Sequence, residues 1–167
     1  MRYLLDFDRT LFDTDAFKKA VLKAGYALGT PESLEKVDAS RFVFSDALTF
    51  LKTHAKEDMY IVSSCTGFQS VYDRAYQSAK IAKSRVDAYV ADVIVVEDTK
   101  VDAVVSLADG ETVFVDDMDK HLSAVAARCP EVHVVHIGRS AHYPTTRTVP
   151  SIASLSELDA TIEALCR

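Results

Sequence analysis

The sequence predicts a doubly wound α/β sheet of about five parallel strands with helices on both faces. Three observations support this. Short apolar runs end in polar or acidic residues at RYLLDFD, DMYIVSS, VADVIVVED, TVFVDDM and EVHVVHI. Segments of helical periodicity separate most of these runs, notably FQSVYDRAYQSAKIAKS, KVDAVVSLAD and DKHLSAVAARC. No internal repeat or low-complexity tract interrupts the rhythm. Alternation of this kind builds βαβ units and buries a parallel sheet.

The 167 residues fit one domain, large enough to bury a core without disulfide or metal support. Hydrophobic residues make up 49% of the chain and charged residues 26%, an ordinary globular balance. The net charge of -6 argues against a general nucleic-acid binder, which needs a surplus of lysine and arginine to neutralise phosphates. No apolar run approaches the roughly 18 to 20 residues of a membrane span, and the first residues do not form a basic-then-apolar leader. The expected setting is therefore cytoplasmic, with no membrane partner. Cys65, Cys129 and Cys166 are odd in number and show no CxxC spacing, so reduced thiols are expected. Cys65 has no histidine near it in sequence and is read as a packing residue.

The first strand, within RYLLDFD, runs into Asp6 and Asp8. Residues 13–45 then depart from the rhythm. They hold an amphipathic helix around AFKKAVLKAGYAL, a Gly-Thr-Pro turn and the polar SLEKVDASR. This is too long for a simple crossover and too short for a domain, so 13–45 is read as a small helical insertion. Residues 1–12 and 46–167 form the α/β core. A helix at SDALTFLKTHA leads to the strand at MYIVSS, and the βα alternation continues from there. Phe7, Phe12, Phe17 and Tyr26 are expected to pack in the core or the insertion.

Ligands of doubly wound sheets bind outside the carboxyl ends of the strands. The polar residues that close the apolar runs are Asp6 and Asp8, then Ser63 and Ser64, then Glu97, Asp98 and Lys100, then Asp116 and Asp117. Residues two apart on an extended chain project to the same side, so Asp6 and Asp8 are expected to stand together. With Asp116 and Asp117 they make four carboxylates that repel one another unless a cation intervenes. A hard divalent ion is the simplest compensation, and Mg²⁺ suits a few carboxylates, waters and a substrate phosphate. Lys100 and the Ser63 hydroxyl supply donors for an anionic substrate. Acids that hold a metal, beside donors that hold an anion, describe phosphoryl transfer with a carboxylate nucleophile.

The set DFDRT, IVSS, TK and VDD, in that order on successive elements, resembles the haloacid dehalogenase (HAD) superfamily of phosphatases and phosphotransferases. The likeness covers nearly the whole chain. Its first motif is matched by Asp6, Asp8 and Thr10. Its second is matched best by Ser63, with Ser64 as the alternative register. Lys100 matches the third motif, and Asp116 with Asp117 the fourth. Arg9 departs from the pattern, because such proteins commonly carry glycine or another small residue there.

The resemblance implies a hydrolase of phosphomonoesters and a cofactor, Mg²⁺. Asp6 would attack phosphorus, and Asp8 would serve as acid and then base. The metal would meet Asp6, the Asp8 backbone carbonyl, Asp116 and Asp117, the last directly or through water. Ser63 or Ser64, Lys100 and Thr10 would lie around the phosphoryl group. The substrate would be a phosphorylated small molecule or macromolecule. In this superfamily a small insertion goes with an open site, which admits larger substrates or is closed by a second subunit, as in a homo-oligomer.

Blander readings stand beside these. Two acids at a strand end can be solvated or can cap the next helix. Asp119 is the expected cap of the DKHLSAVAARC helix, which leaves Asp116 and Asp117 for the site. His133 and His136, three apart in a strand, fall on opposite faces, and His54, His121 and His142 are scattered, so surface or strand-edge roles are expected. Arg139 and Arg147, with the two threonines before Arg147, are expected in a surface loop near the rim. A non-catalytic HAD-like scaffold binding a phosphorylated partner or nucleotide is the alternative function, and retention of both Asp6 and Asp8 argues against it. A response-regulator receiver fits only loosely, because its acid pair comes first and its phosphorylated Asp ends a later strand. Here that later strand ends in serines.

Overall fold

The computed structural model describes residues 1–65, 73–139 and 149–167. Six strands form one parallel sheet in the order β3-β2-β1-β4-β5-β6. They are β1 (Arg2–Leu5), β2 (Met59–Ser64), β3 (Asp92–Val96), β4 (Thr112–Asp116), β5 (His133–Ile137) and β6 (Ser151–Ile152). Five of them are the apolar runs expected from sequence. The sixth, two residues after Pro150 at the sheet edge, is too short to leave a hydrophobic pattern.

The helices are α1 (Thr14–Lys23), α2 (Pro31–Lys36), α3 (Ser45–Thr53), α4 (Arg74–Ser84), α5 (Val101–Leu107), α6 (Asp119–Arg128) and α7 (Leu158–Leu165). Alternate strand residues face opposite layers. Leu5, Ile61, Val115 and Val135 pack with Phe17 and Val21 of α1, Phe50 of α3, Ile81 of α4 and Leu158 of α7. Leu4, Val62 and Phe114 face the other way, onto Val104 of α5 and Leu122 and Val125 of α6. The result is a three-layer sandwich with helices on both faces.

Local chemistry sets the helix ends. Asp13 caps α1 through Ala16 N at 2.9 Å, and Gly25 beyond its end takes φ 82°. Thr30 caps α2, with Pro31 at its first position. Asp73 caps α4 through Tyr76 N at 2.7 Å, and Arg85 closes it in a left-handed conformation. The residue at the cap of α6 is Met118, not Asp119, which lies in the first turn. Met118 N instead donates to Asp116 at 2.8 Å, because the chain turns into the helix immediately after β4.

Residues 13–45 leave and rejoin the core at one place. Asp13 N donates to Phe42 O, Phe44 N to Leu11 O, and Phe12 bridges Val43. Phe17, Val21, Leu34, Val37 and Ala39 from this interval join the apolar layer beneath it. Phe7 and Phe12 are buried with them, and Tyr26 is half-buried at the margin. No helix among the described residues is long and apolar enough to cross a membrane.

Candidate active site

The chain order passes through β1, β2 and β3 on one side and then returns to place β4 against the free edge of β1. Crevices form at such reversals, outside the carboxyl ends of the strands. A cavity of about 260 Å³ lies there. Asp6, Asp8, Ser64, Lys100 and Asp117 line it, together with Arg9, Lys18, Gln77, Lys80 and His121.

Asp6 prolongs the β1 pairing by donating its N–H to Val115 O at 2.9 Å, which fixes its backbone beside Asp116. The chain then turns sharply, with the N–H groups of Leu11 and Phe12 both donating to Phe7 O at 3.0 Å. Arg9 takes φ 60° in this turn, a left-handed conformation that favours glycine. Its guanidinium folds back onto Asp15 at 2.8 and 3.0 Å. The preference for a small residue at this position thus has a backbone cause here.

The turn overrides the two-residue periodicity expected of Asp6 and Asp8. Asp6 faces Lys100 and Asp116, whereas Asp8 turns its carboxylate toward α4 and the start of α1. Lys80 donates to Asp8 at 2.7 Å, Gln77 at 2.5 Å, and the Thr14 hydroxyl also donates to it. Burial would raise the Asp8 pKa, but Lys80 and these hydrogen bonds outweigh it and hold the carboxyl down at about 2.

One carboxylate oxygen from each of Asp6, Asp116 and Asp117 falls within 4.8 Å of the others. The Asp8 side chain stands outside this trio. Asp116 is satisfied by Lys100 at 2.6 Å and by Met118 N. Asp6 Oδ2 and Asp117 Oδ2 are buried and have no hydrogen-bond partner among the described residues. Burial and the neighbouring acids raise the pKa of both Asp6 and Asp117, with Lys100 opposing. Two orphaned carboxyl oxygens beside a third acid fit a hard divalent cation, which would satisfy them and favour their ionised form.

Lys100 comes from the residue that opens α5, and only 2% of it is exposed. Burial works against its charge, but Asp116 and Asp6 raise its pKa well above the ordinary lysine value. It therefore remains an ammonium at the cavity floor.

The two serines separate. Ser64 lies on the cavity, on the same sheet face as Val62 and Phe114. Ser63, the register favoured from sequence, points to the opposite layer and accepts from Gln77 Nε2 at 2.8 Å without lining the cavity. The Thr10 hydroxyl is fully buried with no partner among the described residues and does not reach the cavity either. Arg139 donates to the Thr10 carbonyl at 2.9 Å, pairs with Asp46 and lies over the Phe44 ring at 4.1 Å. It braces the turn rather than standing free at the rim. Arg147 and His142 lie outside the described residues.

Sequence reasoning missed several cavity residues, His121, Gln77 and Lys80 foremost, with Thr14, Lys18 and Met118. His121 was expected at the surface, but it is buried 3.5 Å from Ser64 Oγ. Burial and then Lys100 lower its pKa to about 4, so it is neutral. Its signal was its place in the first turns of the helix after the Asp116–Asp117 pair. Gln77 and Lys80 share the inward face of α4 with Tyr76 and Ile81, and a polar pair breaking an apolar stripe was the legible sign. Cys65 also lines the cavity and donates its thiol to Val96 O at 3.2 Å.

No family model matches the sequence, and no curated protein matches it significantly. Solved structures do resemble it. A haloacid dehalogenase-like hydrolase from Burkholderia xenovorans aligns at TM-score 0.71 and 17% identity, over 99% of this chain and 97% of its own. The HAD-hydrolase YfnB from Bacillus subtilis, solved bound to magnesium, aligns at 0.66 and 15%, over 95% and 97%. L-2-haloacid dehalogenase from Xanthobacter autotrophicus aligns at 0.60 and 15%, over 98% of both chains. The fold is therefore that of the haloacid dehalogenase-like hydrolases.

Proposed function

We propose that this chain is a Mg²⁺-dependent phosphomonoester hydrolase that works through an aspartyl-phosphate on Asp6. The observation that carries the reading is the division of labour among the acids. Asp6 sits with Asp116 and Asp117 in a trio suited to a metal, while Asp8 faces a separate set of donors at the same cavity.

Asp6, Asp116, Asp117 and the Asp8 carbonyl would hold Mg²⁺, and the bound ion supplies positive charge to the phosphoryl oxygens. Lys100 and Ser64 hold the same oxygens from the cavity floor. A carboxylate oxygen of Asp6 attacks phosphorus, forming a P–O bond to Asp6 as the ester P–O bond breaks. Asp8, having taken up a proton from solvent as the substrate enters, gives it to the departing alkoxide oxygen. It then takes one from the water that hydrolyses the aspartyl-phosphate, returning Asp6 and releasing phosphate. The arriving phosphoryl group adds negative charge beside Asp8, which raises the affinity of Asp8 for the proton it must donate.

Asp8 also favours phosphate over halide chemistry. A halide ion leaves without a proton, whereas an alkoxide needs one, and an acid placed beside the nucleophile serves only the second case. The substrate is a phosphorylated small molecule or macromolecule. Residues 13–45 contribute Thr14 and Lys18 to the cavity lining.

The test is release of phosphate from an aryl phosphate with Mg²⁺ and with excess chelator, followed by a panel of phosphorylated metabolites. Metal-dependent release is expected. Its absence across the panel would overturn the reading in favour of a scaffold that binds a phosphorylated partner or nucleotide without turnover.

A further inference from the structure

We propose that Lys80 and Gln77 of α4 are positioning residues for Asp8, making α4 a structural part of the catalytic centre. The inference rests on the hydrolase reading for its kinetic consequences and on geometry for its existence. Burying an ammonium and an amide on the inward face of a helix is unfavourable unless both are fully bonded. Gln77 is 2% exposed and Lys80 4%.

Both donate hydrogen bonds to the Asp8 carboxylate. The Gln77 amide nitrogen bridges Asp8 Oδ2 at 2.5 Å and Ser63 Oγ at 2.8 Å, tying Asp8 to the end of β2. Lys80 Nζ takes the other oxygen, Oδ1, at 2.7 Å. The Lys80 ammonium also lies over the rings of Phe7 and Phe12, at 5.4 and 5.7 Å from their centroids. These rings stack on each other at 4.9 Å and flank the turn that carries Asp8. Residues three apart on a helix share a face, so one helix grips both carboxylate oxygens. The turn rotates Asp8 away from the metal trio, and α4 holds it there, ready for the leaving oxygen rather than for the cation.

A positioning role has a kinetic signature that substrate binding lacks. The acid matters most when the leaving group is poor, so loss of its placement should fall more heavily on an alkyl phosphate than on p-nitrophenyl phosphate. The test measures Lys80→Met, Lys80→Arg, Gln77→Leu, Asp8→Asn and the double variant Asp8→Asn/Lys80→Met, each with Mg²⁺ and both esters. Lys80→Met is expected to lower kcat on the alkyl ester about 10- to 100-fold with KM within about twofold, and to cost less on the aryl ester. Lys80→Arg should recover most of the loss, and Gln77→Leu should repeat the pattern more weakly. The double variant should be no slower than Asp8→Asn alone.

A rise in KM with kcat preserved, equal losses on both esters, or additive losses in the double variant would overturn the proposal and leave the hydrolase reading intact. If the wild-type protein turns over no phosphate ester, the hydrolase reading fails instead. The crystal structure of Lys80→Met, or of Gln77→Leu should that variant alone fold, then decides the positioning claim. A displaced Asp8 carboxylate supports it, and an unmoved one overturns it.

Discussion

The Lys100 ammonium lies 2.6 Å from the Asp116 carboxylate, with both side chains all but sealed from water at 2% and 0% exposure. A second bond reaches Asp6 on the adjacent strand, so one cation ties together the ends of β1 and β4. Lys100→Met would leave Asp6, Asp116 and Asp117 facing one another with no ammonium among them. Removing one partner of a buried pair costs about 3 to 5 kcal/mol, and Mg²⁺ should restore part of that. Urea unfolding in chelator and in excess Mg²⁺ measures both effects.

Asp8→Asn keeps the shape of the side chain and its acceptor oxygen but cannot give or take the proton. Turnover of a phosphomonoester should fall about 100- to 10,000-fold while the thermal unfolding profile remains that of a folded protein. Wild-type turnover in this variant would remove Asp8 from the chemistry.

Asp6 and Asp117 have pKa values raised above the ordinary carboxylate range, first by burial and then by neighbouring acids, Asp116 and Asp8 for Asp6 and Asp6 and Asp116 for Asp117, with Lys100 opposing. The folded state therefore binds more protons than the unfolded chain once the pH exceeds about 4, and the metal-free protein should lose stability as pH rises from there through neutrality. Asp8 acts in the opposite sense, because its depressed pKa supplies stability above about pH 4 that is lost toward pH 2. Melting temperatures in chelator should be lower at pH 8 than at pH 5.5, and Mg²⁺ should raise them more at the higher pH.

Ser63 and Ser64 show where the sequence was legible and where it was not. Apolar runs with polar ends marked five strands, and Asp6, Asp116, Asp117 and the serine pair fell at or just beyond strand ends around the crevice, with Lys100 at the start of α5, whereas Glu97 and Asp98 are exposed outside it. Which serine faces the cavity depends on the pleat of β2 against β1, where a one-residue shift exchanges the faces, and the run MYIVSS carries no mark of that phase. Asp8 escaped for a related reason, since its direction comes from a tight turn with Arg9 at positive φ and not from strand geometry. His121, Gln77 and Lys80 left only faint marks, a place after the acid pair and a polar break in an apolar stripe, because burial of a polar helical residue is decided by what packs opposite it.

The serines also differ in expected kinetics. Ser64→Ala removes a hydroxyl from the cavity and should weaken substrate binding, with KM rising about fivefold for a lost neutral hydrogen bond. Ser63→Ala removes the anchor of Gln77 and should leave KM unchanged while lowering kcat. Steady-state kinetics of the two variants on one phosphate ester distinguishes them.

Arg9 can be separated into backbone and side-chain contributions. Arg9→Gly and Arg9→Ala both lose the partly exposed Asp15 pair, but only glycine is at ease at φ 60°. The glycine variant should be the more stable of the two by about 1 kcal/mol, read from chemical denaturation.

The strand order also governs when activity can appear. Asp6 precedes its partner strand β4, which ends at residue 116, and Lys100 lies between them in the chain. A chain that has emerged only as far as β3 thus holds Asp6 without the Lys100 and Asp116 that the proposed centre needs. Return of turnover after dilution from denaturant would report the meeting of β1, β4 and the start of α5, not the formation of any one helix.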